Sequence, residues 1–128
     1  MLKERFKVVV AQEPAATATG NGNSVDRLGF GKVTFVVTVG AFTFTTSNYT
    51  SFEMEESDDN STFSAVDAAS IKGTFPKVQK TITASEVAKV EYLGKKRYVR
   101  CPQTKNGTNT AIVCVHAILG DPEVAPVE

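Results

Sequence analysis

Val33-Thr34-Phe35-Val36-Val37-Thr38-Val39 alternates along its whole length. Val33, Phe35, Val37 and Val39 fall on one face and Thr34, Val36 and Thr38 on the other, the period-two pattern of a β-strand. β-Branched and aromatic residues fill a pleated surface well. With Val36 on the second face as well, the strand belongs at the centre of a sheet. Upstream, from Val25, the segment runs through Gly29-Phe30-Gly31-Lys32, which lacks P-loop spacing and opens a strand rather than a helix, so it offers no phosphate cradle.

Helical periodicity is almost absent from the rest of the chain. Phe6 to Ala11 reads as a first strand that ends before Pro14, and Ala15 to Ser24, rich in turn formers, reads as a mobile loop. Tyr49 to Glu55 alternates, with Phe52 and Met54 on one side and Ser51, Glu53 and Glu55 on the other. Ser57-Asp58-Asp59-Asn60 collects residues whose side chains bond nearby backbone, so the chain reverses there and returns over Thr62 to Val66. Further strands are expected over Phe75 to Thr81 and Val87 to Tyr92. Lys96 to Cys101 and Thr110 to Leu119 read as a hairpin closed through Lys105-Asn106-Gly107-Thr108, since Asn-Gly favours a tight turn. With about eight strands the expectation is an all-β, two-sheet sandwich, jelly-roll-like. Residues 1–128 form one domain in this reading, with an N-terminal arm over 1–5 and an extended arm over 121–128, where DPEVAPVE carries two prolines.

Of the 128 residues, 41% are hydrophobic and 22% charged, enough for a packed core. Lys plus Arg and Asp plus Glu are both 14, so no overall positive field exists to hold a nucleic acid. The opening Met-Leu-Lys-Glu-Arg-Phe-Lys gives no signal peptide, and no apolar run reaches the length of a membrane span. The expectation is a chain made in a cytoplasm, whose apparent sequons at Asn48, Asn60 and Asn106 are chance matches.

Candidate chemistry is sparse. His116, the only histidine, reads as a packed or hydrogen-bonded strand residue rather than a base. Cys101 and Cys114 fall on the two arms of the expected hairpin, where a disulfide is possible in one register, but the reduced state is favoured without a secretory signal. Two cysteines and one histidine without a close Cys pair do not make a tetrahedral zinc site. The acidic run Glu53, Glu55, Glu56, Asp58 and Asp59 lacks the spacing of a calcium loop and reads as a solvated strand face. Lys95-Lys96-Arg97-Tyr98-Val99-Arg100 has too few aromatics to stack bases, so a salt-bridged sheet edge or a protein contact is expected. Acid over 53–59 and base over 95–100, with Lys3, Arg5 and Lys7, are expected to segregate on the surface and orient partners. No catalytic residues, metal or cofactor are expected.

Phe52 to Val66, FEMEESDDNSTFSAV, resembles a phrase of small structural proteins of tailed bacteriophages and prophages. Tyr92-Leu93-Gly94-Lys95-Lys96-Arg97-Tyr98-Val99-Arg100, then Ile118-Leu119-Gly120-Asp121-Pro122, is similar to the closing section of the same group, and Val25-Asp26-Arg27-Leu28-Gly29-Phe30 to its opening strand. The resemblance implies a non-enzymatic virion protein, a capsid decoration or cement protein that bridges major capsid subunits after assembly in the bacterial host. Its implied partners are the major capsid protein or other virion proteins; the zero net charge adds the expectation of a homo-oligomer and of no specific nucleic acid, and the absence of an apolar span that of no membrane. A head-tail connector or tail component is the alternative role, and a carbohydrate-binding sandwich a further one, though the chain has no Trp for a sugar platform. The expected contact residues are Arg5, Phe6, Lys95, Lys96, Arg97, Pro122, Val124 and Pro126.

Overall fold

The computed structural model describes residues 6–16, 18–41, 49–75, 84–107 and 111–122. It is an all-β sandwich. The first sheet holds β1 (Phe6–Ala16), β3 (Phe30–Val39), β7 (Ile71–Lys72), β8 (Glu86–Tyr92) and β11 (Ile112–Pro122), in the order β1-β11-β3-β8-β7. Its pairings are antiparallel. The alternating strand β3 sits in the middle, as Val36 on its outer face requires.

The second layer is built from β2 (Val25–Asp26), β4 (Tyr49–Phe52), β5 (Glu55–Ser57), β6 (Ser64–Ala65), β9 (Tyr98–Arg100) and β10 (Gln103–Asn106). Phe52 lies opposite Gln103 and Glu55 opposite Arg100, so the register passes unbroken from the β4–β10 pair to the β5–β9 pair. Between them the Glu53 N–H donates to the Pro102 carbonyl at 3.0 Å, and the two ladders act as one long ribbon. β2 flanks it on one side and β6 on the other.

The inner faces meet as the alternation dictates. Val33, Phe35, Val37 and Val39 of β3, Val113, Val115, Ala117 and Leu119 of β11, and Val90 and Tyr92 of β8 are buried against Val25, Phe52, Met54, Val99 and Cys101. Phe35 is 0% exposed. Phe75 stacks on Phe52 with ring centroids 6.3 Å apart.

Several local expectations are corrected. The hairpin between Lys96–Cys101 and Thr110–Leu119 does not form: β9 and β10 pair with β2, β5 and β4, whereas β11 pairs with β1 and β3. Gly107 does take a positive φ of 80°, but β10 before it belongs to the second layer and β11 to the first sheet, so the two strands are not arms of one hairpin. Cys101 and Cys114 are therefore not neighbours, and both are free thiols.

The first strand runs past Pro14 to Ala16 through register shifts between Val10 and Gln12 and between Gln12 and Ala15. An edge strand with bulges tolerates a residue without an N–H. The following segment is also tied down, because Gly20 and Gln103 exchange backbone hydrogen bonds of 2.9 and 2.8 Å and the Asn23 N–H donates to the Ala11 carbonyl at 2.7 Å. At the other terminus β11 carries Asp121 and Pro122 in the sheet, with Pro122 opposite Phe30, so these two residues of the expected arm belong to the strand, and 123–128 lie outside the described residues. The expected strand at 75–81 falls, from Pro76 on, outside the described residues.

The turn after β5 forms as its residues predict. The Ser57 hydroxyl accepts from the Asp59 and Asn60 N–H groups and donates to Asp59, whose Oδ1 accepts from the Ser61 and Thr62 N–H groups at 2.9 Å. Asn60 takes φ 60°, and β6 returns against β5, shorter than the expected 62–66. The Thr62 and Ser61 N–H donors, helped by Ser57, hold the Asp59 carboxyl down at about 2 from its ordinary 3.8. A carboxyl depressed by folding contributes stability that is present above about pH 4 and lost as pH falls through about 2. Asp59→Ala is expected to flatten that section of the acid-unfolding curve. Urea midpoints measured across this window that fall equally for both proteins would remove Asp59 from the account.

Candidate protein-docking surface

Register decides which residues share an end of the sandwich. Phe6 lies opposite Gly120, Gly120 opposite Lys32, Pro122 opposite Phe30 and Val33 opposite Tyr92. The start of β1, the start of β3 and the ends of β8 and β11 are thus gathered at one end. The loop from Leu93 to Arg97 is at that end too, because it follows β8. Of the expected contact residues, Phe6, Lys95, Lys96, Arg97 and Pro122 come together there. Arg5, Val124 and Pro126 lie outside the described residues.

The loop is built around Arg27 and Tyr92. The Arg27 guanidinium donates to the carbonyls of Lys96, Phe30 and Gly94 and lies 5.6 Å from the centroid of the Tyr92 ring. The Tyr92 hydroxyl donates to Glu56 at 2.7 Å and accepts from the Lys96 N–H at 2.9 Å. Burial first, and the Glu56 carboxylate second, push the Tyr92 phenol up to about 12. It stays a hydroxyl, able to donate and accept at once.

Acid and base do not segregate as expected. They are far apart along the chain but adjacent across the β5–β9 ladder. Arg100 pairs with Glu55 at 2.7 Å and lies 3.8 Å from the Phe63 ring centroid; Lys96 pairs with Asp58; Arg97 grips Asp26 through two bonds of 2.9 Å. The Arg97 bond holds the Asp26 carboxyl below its usual value. These partially exposed pairs fix the loop more than they stabilise the fold, since such pairs are worth about 0–1 kcal/mol.

What remains for a partner is a smaller set. Lys95 and Lys32 have no ion-pair partner among the described residues, and Leu28 and Leu93 are 66% and 49% exposed. Two shallow clefts share Arg27, Phe30 and Lys95: one of about 240 Å³ adds Leu28 and Arg97, the other, about 330 Å³, adds Lys32 and Leu93. Exposed apolar side chains beside unpaired cations suit a protein segment that is apolar and acidic. Lys95 was legible in the basic run, whereas Lys32, Leu28 and Phe30 needed the topology.

On the outer face of the first sheet, residues two apart in β11 meet. Cys114 Sγ lies 3.6 Å from His116 Nδ1, both half-buried. Burial, with the Glu13 carboxylate second, pushes the Cys114 thiol up. Among the described residues no group of three or more His, Cys, Asp or Glu could hold a metal.

No protein-family model matches the chain, and no curated protein matches it. One solved structure is similar: the crystal structure of SPBc2 prophage-derived protein YomS. It has a TM-score of 0.46 and 15% identity, over 89% of this chain and 91% of that one.

Proposed function

We propose that this protein is a non-enzymatic virion component of a tailed phage or prophage, a decoration or cement protein that docks on the assembled shell through the end of the sandwich described above. The observation that carries the docking reading is the convergence of Phe6, Phe30, Lys32, Lys95 and Pro122 on one end, beside exposed Leu28 and Leu93. Support for the virion setting comes from the ordered sequence phrases at 25–30, 52–66 and 92–100. A cement protein binds the assembled lattice and not free subunits, which stabilises the shell by mass action.

The test uses shells of the chain's own phage assembled without it. Wild-type protein is expected to cosediment with them in stoichiometric copy number and raise their thermal disassembly temperature. Lys32→Glu with Lys95→Glu is expected to weaken attachment by about tenfold or more and to leave unfolding of the free protein unchanged, because exposed substitutions usually alter stability by only about 0.5 kcal/mol. Salt is expected to weaken wild-type attachment too, since exposed charges are screened over about 10 Å at 0.1 M. Charge reversal at Lys96 or Arg97 is a poorer probe because it also breaks the Asp58 and Asp26 pairs. Wild-type protein that does not bind the shells overturns the reading; a double variant that binds normally moves the contact elsewhere.

A further inference from the structure

We propose that Cys114 and His116 form half of a tetrahedral zinc site, completed by the same two residues of a second copy packed face to face on the outer side of the β1-β11-β3-β8-β7 sheet. The argument begins with a length. Zinc bonds of about 2.3 Å to sulfur and about 2.0–2.1 Å to nitrogen, at a tetrahedral angle, set the sulfur–nitrogen edge at about 3.5–3.6 Å. The Cys114 Sγ to His116 Nδ1 separation is 3.6 Å. Alternation along β11 puts both side chains on one face, so the strand itself holds the two donors at chelating distance.

One copy supplies two donors, and among the described residues no third joins them. A structural zinc site needs four, and a two-fold axis through the metal supplies an S₂N₂ set from identical halves. The surroundings favour this occupant. His116 lies between Val10 of β1 and Val36 of β3, and Val8, Val10, Val87 and Ile112 are 51%, 37%, 63% and 53% exposed. These apolar side chains share the face with Thr34, Thr38, Lys89 and Glu91, and the chain has zero formal charge, which sets up no net repulsion between copies. Stacked sheets lie about 10 Å apart, which places a metal midway about 5 Å above each, within reach of a Cys or His side chain plus one metal bond. On binding, the thiol proton leaves to solvent and the thiolate sulfur takes the metal. Phe6 and Lys32 stand on this same face, four residues along their strands from Val10 and Val36, so the test reads zinc binding and dimer formation directly and not shell attachment.

The experiment is titration of the reduced, metal-free protein with zinc chloride, followed by calorimetry and sedimentation velocity. The expected result is one zinc per two chains, with a dimer that appears with zinc and disperses with a chelator. Cobalt in place of zinc is expected to give a thiolate-to-metal charge-transfer band. Cys114→Ser and His116→Gln are each expected to abolish both band and dimer, while the buried Cys101→Ser keeps them; circular dichroism verifies that each variant is folded. Absence of zinc binding, zinc bound one per chain without dimerisation, or binding retained in both site variants overturns the proposal.

Discussion

Phe35→Ala is expected to cost about 3–5 kcal/mol of unfolding free energy, the usual range for truncating a fully buried phenylalanine. Phe35 is 0% exposed at the centre of the middle strand, flanked across the ladders by Ala117 on β11 and Val90 on β8. Removing the ring loses its transfer free energy and leaves a cavity that two hydrogen-bonded sheets cannot close over, because their spacing is set by the surrounding Val, Leu and Met side chains. Against a typical stability of about 5–15 kcal/mol, the variant keeps little margin. The check is the urea midpoint at unchanged slope, with Leu28→Ala, 66% exposed, as the comparison expected to shift by no more than about 0.5 kcal/mol. A Phe35→Ala protein as stable as Leu28→Ala would mean the sheets do not pack on this residue.

Phe35 also marks what the sequence makes legible. Alternation assigns the faces of β3 and of Phe52 and Met54 correctly, because side-chain period depends only on the strand's own geometry. Partner choice does not follow from it. Asn106-Gly107 announces a reversal, but the residues after it serve the inner face of the other sheet, and a local turn signal carries no information on which sheet the next strand joins. The same gap hid the ion pairs: Glu55 and Arg100 sit opposite each other only once β5 and β9 are known to pair. Clusters of opposite charge that look segregated along the chain then neutralise one another, and Lys95 and Lys32 at the docking end stand outside these pairs. The Cys114 and His116 pair is the converse case. Its spacing of two on a strand was readable, and counting donors within one chain concealed it.

Tyr92→Phe is expected to lower stability by about 1–3 kcal/mol, the usual cost of leaving a buried polar partner unmatched. The ring stays, and with it the packing in the core and the contact with the Arg27 guanidinium. What disappears is the hydroxyl that joins the Glu56 carboxylate on β5 to the Lys96 N–H of the loop. That hydroxyl is the point at which the second layer fastens the segment carrying Lys95. Lys96 amide exchange is therefore expected to quicken in the variant more than exchange at core positions such as Val37. The alkaline limb gives an independent reading with a defined sign. A phenol held at about 12 in the fold and about 10 in the unfolded chain contributes stability that is intact below about pH 10 and lost as pH rises through about 12. Unfolding curves between these limits should be steeper for wild type than for Tyr92→Phe, and shell attachment should weaken in step with the loosened loop. Equal alkaline slopes together with unchanged Lys96 exchange would show that the hydroxyl does not hold the loop, and that the docking end is ordered by Arg27 and the ion pairs alone.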